Sequence, residues 1–204
     1  MLFKDRVDAG RQLAGKLRNF QNEQGVILAI PRGGVPVGYE VSKELGWPMD
    51  LMLTKKLGHP KHKEYAIGAV GINDRIIIPH SDVTDDYVES ETDAVRKRLK
   101  EMRQKFMGDK LPEAVKDKTA IIVDDGIATG NTLLASVEIL RKQQPAKIVV
   151  AVPVASSKAA KKLAHKADEI VVVTVPDMFY GVGQFYEDFT QVSDEEVIKD
   201  LKKM

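Results

Sequence analysis

The sequence predicts an α/β fold in which a mostly parallel, twisted sheet is flanked by helices. Short apolar runs of strand length alternate with amphipathic segments of helical length along the chain, and this alternation is typical of a parallel sheet. The loops that follow the apolar runs collect glycine, lysine and aspartate. In such sheets ligands bind beyond the carboxyl ends of the strands, so these loops are the first candidates for a site.

Apolar periodicity places each element along the chain. Strands are expected at 26–30, 49–54, 66–72, 119–123, 147–152 and 169–175, with a short apolar run at 76–79. Helices are expected at 5–20, 35–45, 87–106, 131–143 and 156–166, and a capping box at 193–196 opens a last helix. We interpret 1–204 as a single domain with a helical insertion at about 79–118 and a small C-terminal hood at about 176–204.

Composition excludes several classes of protein. The 31 basic and 30 acidic residues give a formal net charge of +1, so a general nucleic-acid or membrane binder is not expected. No apolar run approaches the ~18 residues of a membrane span, and the N-terminus lacks an apolar core of signal-peptide length. With 204 residues and no cysteine, the chain can fold without disulfides. These features are compatible with a cytoplasmic protein.

The stretch VDDGIATGNT, residues 123–132, carries the most specific chemistry. Gly126 and Gly130 leave backbone N–H groups open, and the following helix points its positive end at the loop. Together they form an anion nest of phosphate size. Asp124 and Asp125 would repel a phosphate, so they must serve sugar hydroxyls or a metal ion. A ligand with both a phosphate and a diol accounts for the whole loop.

Two other phosphate-handling motifs fit this stretch poorly. The nucleotide-triphosphate P-loop needs four residues between its glycines and then a lysine, whereas three separate Gly126 from Gly130 and Asn131 follows. A receiver-type signalling domain also uses paired acids with Mg²⁺. Its acids would follow the first strand, whereas Asp124 and Asp125 lie past the middle of the chain.

At these residues the chain resembles the type I phosphoribosyltransferases. The resemblance implies that Asp124 and Asp125 hold the ribose hydroxyls of phosphoribosyl pyrophosphate (PRPP), and that Mg²⁺ is bound mainly through substrate and water. It assigns the 5-phosphate to a loop that comprises Gly126, Ile127, Ala128, Thr129, Gly130, Asn131 and Thr132. The fold and a glycosyl transfer from PRPP are expected on the same basis.

Two further segments extend the resemblance. Arg32, Gly33 and Gly34 stand where the family binds pyrophosphate, in a turn that often contains a non-proline cis peptide, here placed at Pro31–Arg32. Lys55 and Lys56 stand in the family's mobile lid, where the resemblance implies a charge partner for the leaving pyrophosphate. A solvated basic loop is the alternative for either lysine, and the sequence assigns no role to Glu64 or Tyr65.

The C-terminal aromatic residues resemble the hood of purine-salvage members. Val175, Phe179 and Tyr180 are the candidates for contact with a planar base, whereas Phe185 and Phe189 are equally compatible with a small hydrophobic cluster. An apolar stripe on the long helix (Val88, Val95, Leu99, Met102 and Phe106) needs a second helix or a partner subunit to cover it, so a homodimer is one option.

The predicted activity is transfer of a phosphoribosyl group to a nitrogen acceptor, with a nucleobase favoured and adenine the best single choice. Ala128 stands where the 6-oxopurine enzymes carry an aspartate, so hypoxanthine and guanine are expected to be poor acceptors. The alternative is a non-catalytic regulator on the same fold that senses PRPP or binds RNA.

Overall fold

The computed structural model describes residues 2–204, which form two sheets and six α-helices. The strands are β1 Gly25–Ala29, β2 Met49–Leu51, β3 Thr54–Gly58, β4 Ala66–Gly71, β5 Arg75–Ile77, β6 Thr119–Val123, β7 Lys147–Val154 and β8 Glu169–Thr174. The helices are α1 Arg6–Lys16, α2 Gly34–Leu45, α3 Asp85–Met107, α4 Asn131–Arg141, α5 Ser157–Ala164 and α6 Asp194–Leu201. Within these residues, no helix has the length and apolar character needed to cross a bilayer.

The larger sheet confirms the predicted α/β class. Its five strands are all parallel, in the order β2-β1-β6-β7-β8. β1 and β6 are adjacent, with Ala29 opposite Val123 at their carboxyl ends. The loops that follow these two strands, which carry the glycine turn and the acidic pair, therefore start side by side at the same sheet edge.

Two expectations are corrected by a second, antiparallel sheet. The strand expected at 49–54 is shorter, and the strand expected at 66–72 belongs to this second sheet and not to the parallel one. β2 ends at Leu51 although Met52 and Leu53 continue the apolar run, and β3, β4 and β5 form a separate three-stranded sheet. Lys55 and Lys56 therefore lie within β3 and not in a loop. Because only seven residues join β3 to β4, the pair must be antiparallel, since a parallel crossover needs a dozen or more.

Strands β1, β2, β6 and β7 of the parallel sheet are buried on both faces, whereas the edge strand β8 is half-buried. Alternate residues of β6 enter two different apolar clusters: Ile121 and Val123 pack with α1, α2 and α6, whereas Ala120 and Ile122 pack with α4 and α5. A third, smaller cluster lies under the C-terminal hood and includes Tyr186. Strands that are covered on both faces have near-continuous apolar sequences, as these do.

The long helix α3 is covered within the chain. Val95, Leu99 and Phe106 are buried in the same cluster as residues of β3, β4 and α6, so three residues of the predicted stripe need no partner subunit. Arg103 fixes the helix to the sheet, because its Nη1 donates to Asp50 Oδ1 over 2.7 Å and its Nη2 to Oδ2 over 3.2 Å. Asp50 is 3% exposed.

Arg103→Ala should destabilise the fold, because it leaves the buried Asp50 carboxylate without its counter-charge. Loss of one member of a buried pair costs about 3–5 kcal/mol, and we expect the lower end because backbone N–H groups of Leu51 and Glu113 still donate to Asp50. Urea unfolding of this variant and of the exposed control Arg98→Ala measures the difference. Equal losses would refute the anchoring role of Arg103.

Candidate functional site

The glycine turn after β1 packs directly on the acidic pair after β6. A Cβ added to Gly33 would lie 1.9 Å from Asp125 Oδ2, and one added to Gly34 would lie 2.7 Å from the Val123 carbonyl oxygen. Both distances are shorter than any side chain tolerates, so only glycine fits at either position. The peptide bond between Pro31 and Arg32 is cis, at the place that the sequence suggested. The predicted pyrophosphate turn and the predicted ribose acids are thus one contiguous surface.

Arg6, which the sequence did not single out, holds Asp125 in place. Its Nε donates to Asp125 Oδ2 over 2.8 Å, and its Nη1 donates to the Thr190 carbonyl oxygen over 2.8 Å. The guanidinium also lies 4.0 Å from the centre of the Phe189 ring. Because both charged side chains are at least 85% buried, this pair is a structural part of the site and not a surface contact.

Aromatic residues of the hood pack against the acidic pair and Arg6. The Tyr186 hydroxyl donates to the Asp125 carbonyl oxygen over 2.6 Å, and the Tyr186 ring packs against those of Phe3 and Phe189. Burial and the nearby Asp125 raise the pKa of Tyr186, so the hydroxyl keeps its proton and remains a donor.

Two of the three residues predicted to contact a base are exposed. Val175 is 46% exposed and Tyr180 is 88% exposed, whereas Phe179 packs against Phe185 with 5.6 Å between ring centres. Phe185 and Phe189 pack in the cluster beneath the hood, which is the alternative that the sequence left open for them. Phe179, Phe185 and Phe189 therefore help to pack the C-terminal segment, and contact of Val175, Phe179 and Tyr180 with a base stays a prediction.

The acidic pair is electrostatically strained. Burial, and next the charge of Asp125, raises the pKa of Asp124 well above its usual range. Burial also raises the pKa of Asp125, against the opposing effect of its bond to Arg6. Asp125 accepts from Arg6 and Asp124 accepts from the Asp125 N–H, and a ligand that brings hydroxyl groups would supply further donors to this closely spaced pair. Displaced pKa values of this kind are typical of functional sites.

The loop from Gly126 to Thr132 is anchored by contacts with the residues that follow β7, and four of its residues are exposed to solvent. Ile127 is 3% exposed and forms a bridge to Ala155 beside the end of β7. Ser156 donates through its hydroxyl to the Ala128 carbonyl oxygen over 2.7 Å. Gly130, with φ +74°, turns the chain into α4. Ala128, Thr129, Asn131 and Thr132 are exposed at the start of this helix.

Helix caps distinguish this edge of the sheet from the rest of the molecule. Four helices in the described residues begin with a side-chain cap: Asp5 caps α1, Thr84 caps α3, Ser156 caps α5 and Ser193 caps α6. The other two, α2 and α4, have glycine at the N-cap and no side-chain cap. Both helices follow the two predicted anion loops, and the positive end of a helix attracts anions. At α2 the N–H groups of Gly34 and Val35 already donate to the carbonyl oxygens of Ile30 and Arg32, and Pro36 has no N–H, so α2 offers chiefly its dipole.

Arg32 forms an ion pair with Asp194 and is not a free cation at the glycine turn. Its Nε lies 2.7 Å from Asp194 Oδ1 at the start of α6, and Asp194 also pairs with Lys105 of α3. Lys105 first and Arg32 second lower the pKa of Asp194, so the carboxylate is charged. Arg32, Lys105 and Asp194 line a cavity of about 640 Å³ between the glycine turn, α3 and the C-terminal segment.

The structure brings Lys55 and Lys56 to a different cavity. They line a space of about 280 Å³ together with Lys63 and with Thr132 of the predicted 5-phosphate loop. The adjacent Thr54 hydroxyl lies 2.8 Å from that of Ser136 on α4. The hairpin that carries the lysines is tied to α3, because the Tyr87 hydroxyl donates to the Gly58 carbonyl oxygen over 2.7 Å.

Sequence reasoning missed three residues at the site. Arg6 and Tyr186 bind Asp125, and Lys162 of α5 donates to Asn131 Oδ1 over 2.8 Å. Arg6 and Lys162 lie in helices rich in charged residues and carry no local motif, so only the tertiary fold reveals them. Tyr186 could have been found from the sequence, because it belongs to the group of aromatic residues in the hood.

Comparison with known proteins places the chain among phosphoribosyl transferases. Residues 3–190 match the family described as "Phosphoribosyl transferase domain". A Mycobacterium tuberculosis protein named "Putative phosphoribosyl transferase Rv0571c" is 40% identical over 209 residues, which cover 99% of this chain. The chain spans about half the length (47%) of that relative.

Solved structures share the fold. A Thermus thermophilus protein, TT1426, superposes with a TM-score of 0.90 at 37% identity, over 100% of this chain and 99% of its own. A hypothetical protein from Neisseria gonorrhoeae, crystallised with ppGpp, has a TM-score of 0.54 at 15% identity, over 100% and 98% of the two chains. A likeness at 15% identity shows the fold alone.

Asp124→Asn should stabilise the ligand-free protein at neutral pH. Ionisation of Asp124 is disfavoured in the folded state, so its stabilising contribution is present below the unfolded pKa near 3.8 and is lost as pH rises through the raised folded pKa. Asparagine avoids that loss and can still accept from the Asp125 N–H. We expect a gain of about 0.5–2 kcal/mol, a common size for stabilising substitutions.

Unfolding free energies of wild type and Asp124→Asn at a series of pH values provide the measurement. The advantage of the variant should be smallest below pH 3.8 and should grow as pH rises. An advantage that is constant with pH, or a loss at neutral pH, would contradict the proposed electrostatic strain.

Gly33→Ala should destabilise the protein by about 1–3 kcal/mol, the usual range for overpacking, because its Cβ would displace Asp125 from Arg6. Gly15→Ala in α1 is the matched control, since a Cβ there meets nothing within 4 Å. That change should stabilise the helix by about 0.4–1 kcal/mol. Thermal unfolding of both variants is the measurement, and similar shifts would argue against close packing at Gly33.

Proposed function

The chain belongs to the phosphoribosyl transferase family, and on that premise we propose that it transfers the phosphoribosyl group of PRPP to a ring nitrogen of a nucleobase, a role in nucleotide salvage. The bond between the anomeric carbon and the acceptor nitrogen forms as the bond to the diphosphate oxygen breaks. The electron pair of the broken bond leaves with pyrophosphate, and the acceptor's proton passes to solvent.

The observation that carries this proposal is the acidic pair between two uncapped helices. Asp124 and Asp125 pack against Gly33 and Gly34, and the helices that start at either side, α2 and α4, lack side-chain caps. This order of groups along the sheet edge suits a ligand with a phosphate at each end and a diol in the middle. PRPP has that form, with a 5-phosphate, ribose hydroxyls and a diphosphate.

The geometry supports a role in positioning and charge stabilisation. The start of α2 would accept charge that develops on the leaving diphosphate, and Asp124 and Asp125 would orient the ribose through its hydroxyls. Fixed donors at the leaving group are worth far more in a site that excludes water than in solution. Lys55 and Lys56 would approach the donor from the side of Thr132, whose cavity they share.

Magnesium fits this site only together with the substrate. Mg²⁺ needs six oxygen ligands, and the described residues contain no group of three or more His, Cys, Asp or Glu able to hold a metal ion. Asp125 Oδ2 already accepts a hydrogen bond from Arg6 Nε. We therefore propose that Mg²⁺ would be held mainly through substrate and water, with the carboxylates of Asp124 and Asp125 beside it, and that it would offset charge on the diphosphate.

The acceptor is proposed from the residues around the loop. Ala128 cannot accept a proton, and Phe185 precedes Tyr186 where the 6-oxopurine enzymes have an aspartate. Both differences remove carboxylates that would bind hypoxanthine or guanine. Adenine is the proposed best acceptor of the common bases.

The test combines ligand binding with turnover. PRPP with Mg²⁺ should raise the melting temperature because it binds only the folded chain, with about 2.7 kcal/mol of stabilisation at 100 times Kd. Adenine should then support pyrophosphate release, with hypoxanthine and guanine slower. Asp124→Asn/Asp125→Asn should abolish release, because the ribose loses two charge-assisted acceptors.

Each outcome separates the candidate functions. Absence of a thermal shift at millimolar PRPP would show that PRPP is not the donor substrate of this chain. Tight PRPP binding without turnover of adenine, hypoxanthine, guanine, uracil or orotate would favour the alternative, a regulator that senses PRPP or binds RNA. Normal turnover by the double variant would show that the acidic pair is structural.

A further inference from the structure

Two cations from different parts of the fold meet at one carboxylate beside the glycine turn. Arg32 belongs to the turn and Lys105 to α3. Arg32 Nε lies 2.7 Å from Asp194 Oδ1, and Lys105 pairs with the other oxygen of the same carboxylate. All three residues line the cavity of about 640 Å³ that also borders Gly33. Asp194 therefore occupies the point where an anion bound at the turn would meet both cations.

These ion pairs are open to exchange with a solute. The side chains of Arg32 and Lys105 are 43% and 57% exposed, whereas that of Asp194 is 19% exposed. Ion pairs between side chains in contact with solvent are weak. A polyvalent anion such as a diphosphate can therefore compete with the single charge of Asp194 for the two cations.

The leaving diphosphate needs more positive charge than the glycine turn supplies. The N–H groups of Gly34 and Val35 already donate to backbone carbonyl oxygens, and Arg32 is the one cationic side chain of the turn. Lys55 and Lys56 line a separate cavity that Arg32 does not border. A second cation for the diphosphate must therefore come from another element that borders the same cavity as Arg32.

The charges around the cavity identify that cation as Lys105. Arg6 also lines the cavity, but its Nε donates to the acidic pair, so its charge is already compensated. Glu101, one turn before Lys105 on α3, adds a carboxylate, and the charges of Arg32, Lys105, Glu101 and Asp194 then balance. A diphosphate is therefore expected to enter as its magnesium complex and to need both cations.

We propose that Lys105 is a second diphosphate-binding residue, which acts together with Arg32, and that Asp194 is the internal anion that the diphosphate displaces and that pairs again with both cations as pyrophosphate leaves. This inference rests on the proposed phosphoribosyl transfer and deepens it, because it assigns the leaving group to named side chains. Lys105 stabilises charge on the diphosphate, whereas Asp194 opposes its retention. The insertion helix α3 thereby contributes a residue to the site.

Binding of magnesium pyrophosphate and of ribose 5-phosphate, each measured by calorimetry, tests the two residues separately. Lys105→Met removes the charge and keeps the apolar stem, so it should weaken pyrophosphate binding about three- to tenfold, the effect of one charge-assisted contact at an exposed position. Asp194→Asn removes the competing charge and should strengthen binding by a similar factor. Neither change should alter ribose 5-phosphate affinity, and Lys105→Arg should bind pyrophosphate as wild type does.

Matched controls remove the same charges from the same helices outside the cavity. Lys100→Met lies on α3, and Glu195→Gln lies beside Asp194 in the first turn of α6. Both positions are exposed and neither lines the cavity. Both variants should therefore bind pyrophosphate and ribose 5-phosphate as wild type does.

The opposite signs of the two effects separate ligand binding from a structural role. If the pair of Lys105 and Asp194 only joins α3 to α6, both variants lose the same contact and should change pyrophosphate affinity in the same direction, which would overturn the inference. Unchanged affinity in both variants, or a wild type that binds ribose 5-phosphate but not pyrophosphate, would also overturn it. Failure of ribose 5-phosphate itself to bind wild type would instead reject the proposed function.

Discussion

The contact between the glycine turn and the acidic pair determines the geometry of the site. Gly33 approaches Asp125 so closely that no Cβ could be present, and Arg6 fixes that carboxylate from the other side. The turn cannot shift without displacing Asp125, and Asp125 cannot rotate without losing Arg6. The proposed leaving-group and ribose positions are therefore coupled, as a reaction that depends on positioning requires.

This arrangement is unfavourable for stability in the absence of a ligand. Asp124 is half-buried beside a second carboxylate, which raises its pKa, and the two helices nearest to the pair begin without side-chain caps. Hydroxyl groups or counter-ions would stabilise the charged form of Asp124, and a phosphate would be attracted to the uncapped start of α4. The other four helices in the described residues begin with side-chain caps, so the two uncapped helix starts lie where a ligand is expected to bind.

Local sequence signals predicted the sheet and the loops well. Apolar periodicity predicted the strand at 119–123, a strand at 169–175 that the structure ends at Thr174, and the helices that follow the two loops, and glycine spacing marked the turns. The second sheet was missed at Lys55 and Lys56, because β3 has two exposed lysines in its five residues and so lacks a strand's apolar alternation. Its pairing with β4 is a tertiary property.

The supports of the site were not predictable in the same way. Arg6 and Asp125 are 119 positions apart, and nothing near Arg6 in the sequence indicates a partner. Asp194 was recognised only as part of a helix-capping box, whereas in the structure it pairs with Arg32 and Lys105. Long-range ion pairs depend on how helices α1, α3 and α6 dock, and single-sequence patterns do not encode that docking.

A crystal structure of the chain with PRPP and Mg²⁺ would test the central claim most directly. The account predicts the ribose hydroxyls within about 3.0 Å of the Asp124 and Asp125 carboxylates, the 5-phosphate at the start of α4 and the diphosphate at the Arg32–Gly34 turn. The opposite result would be PRPP bound by its phosphates in the cavity of Lys55, Lys56 and Lys63, with no contact to the acidic pair. That structure would show that the pair and its glycine turn serve the fold alone.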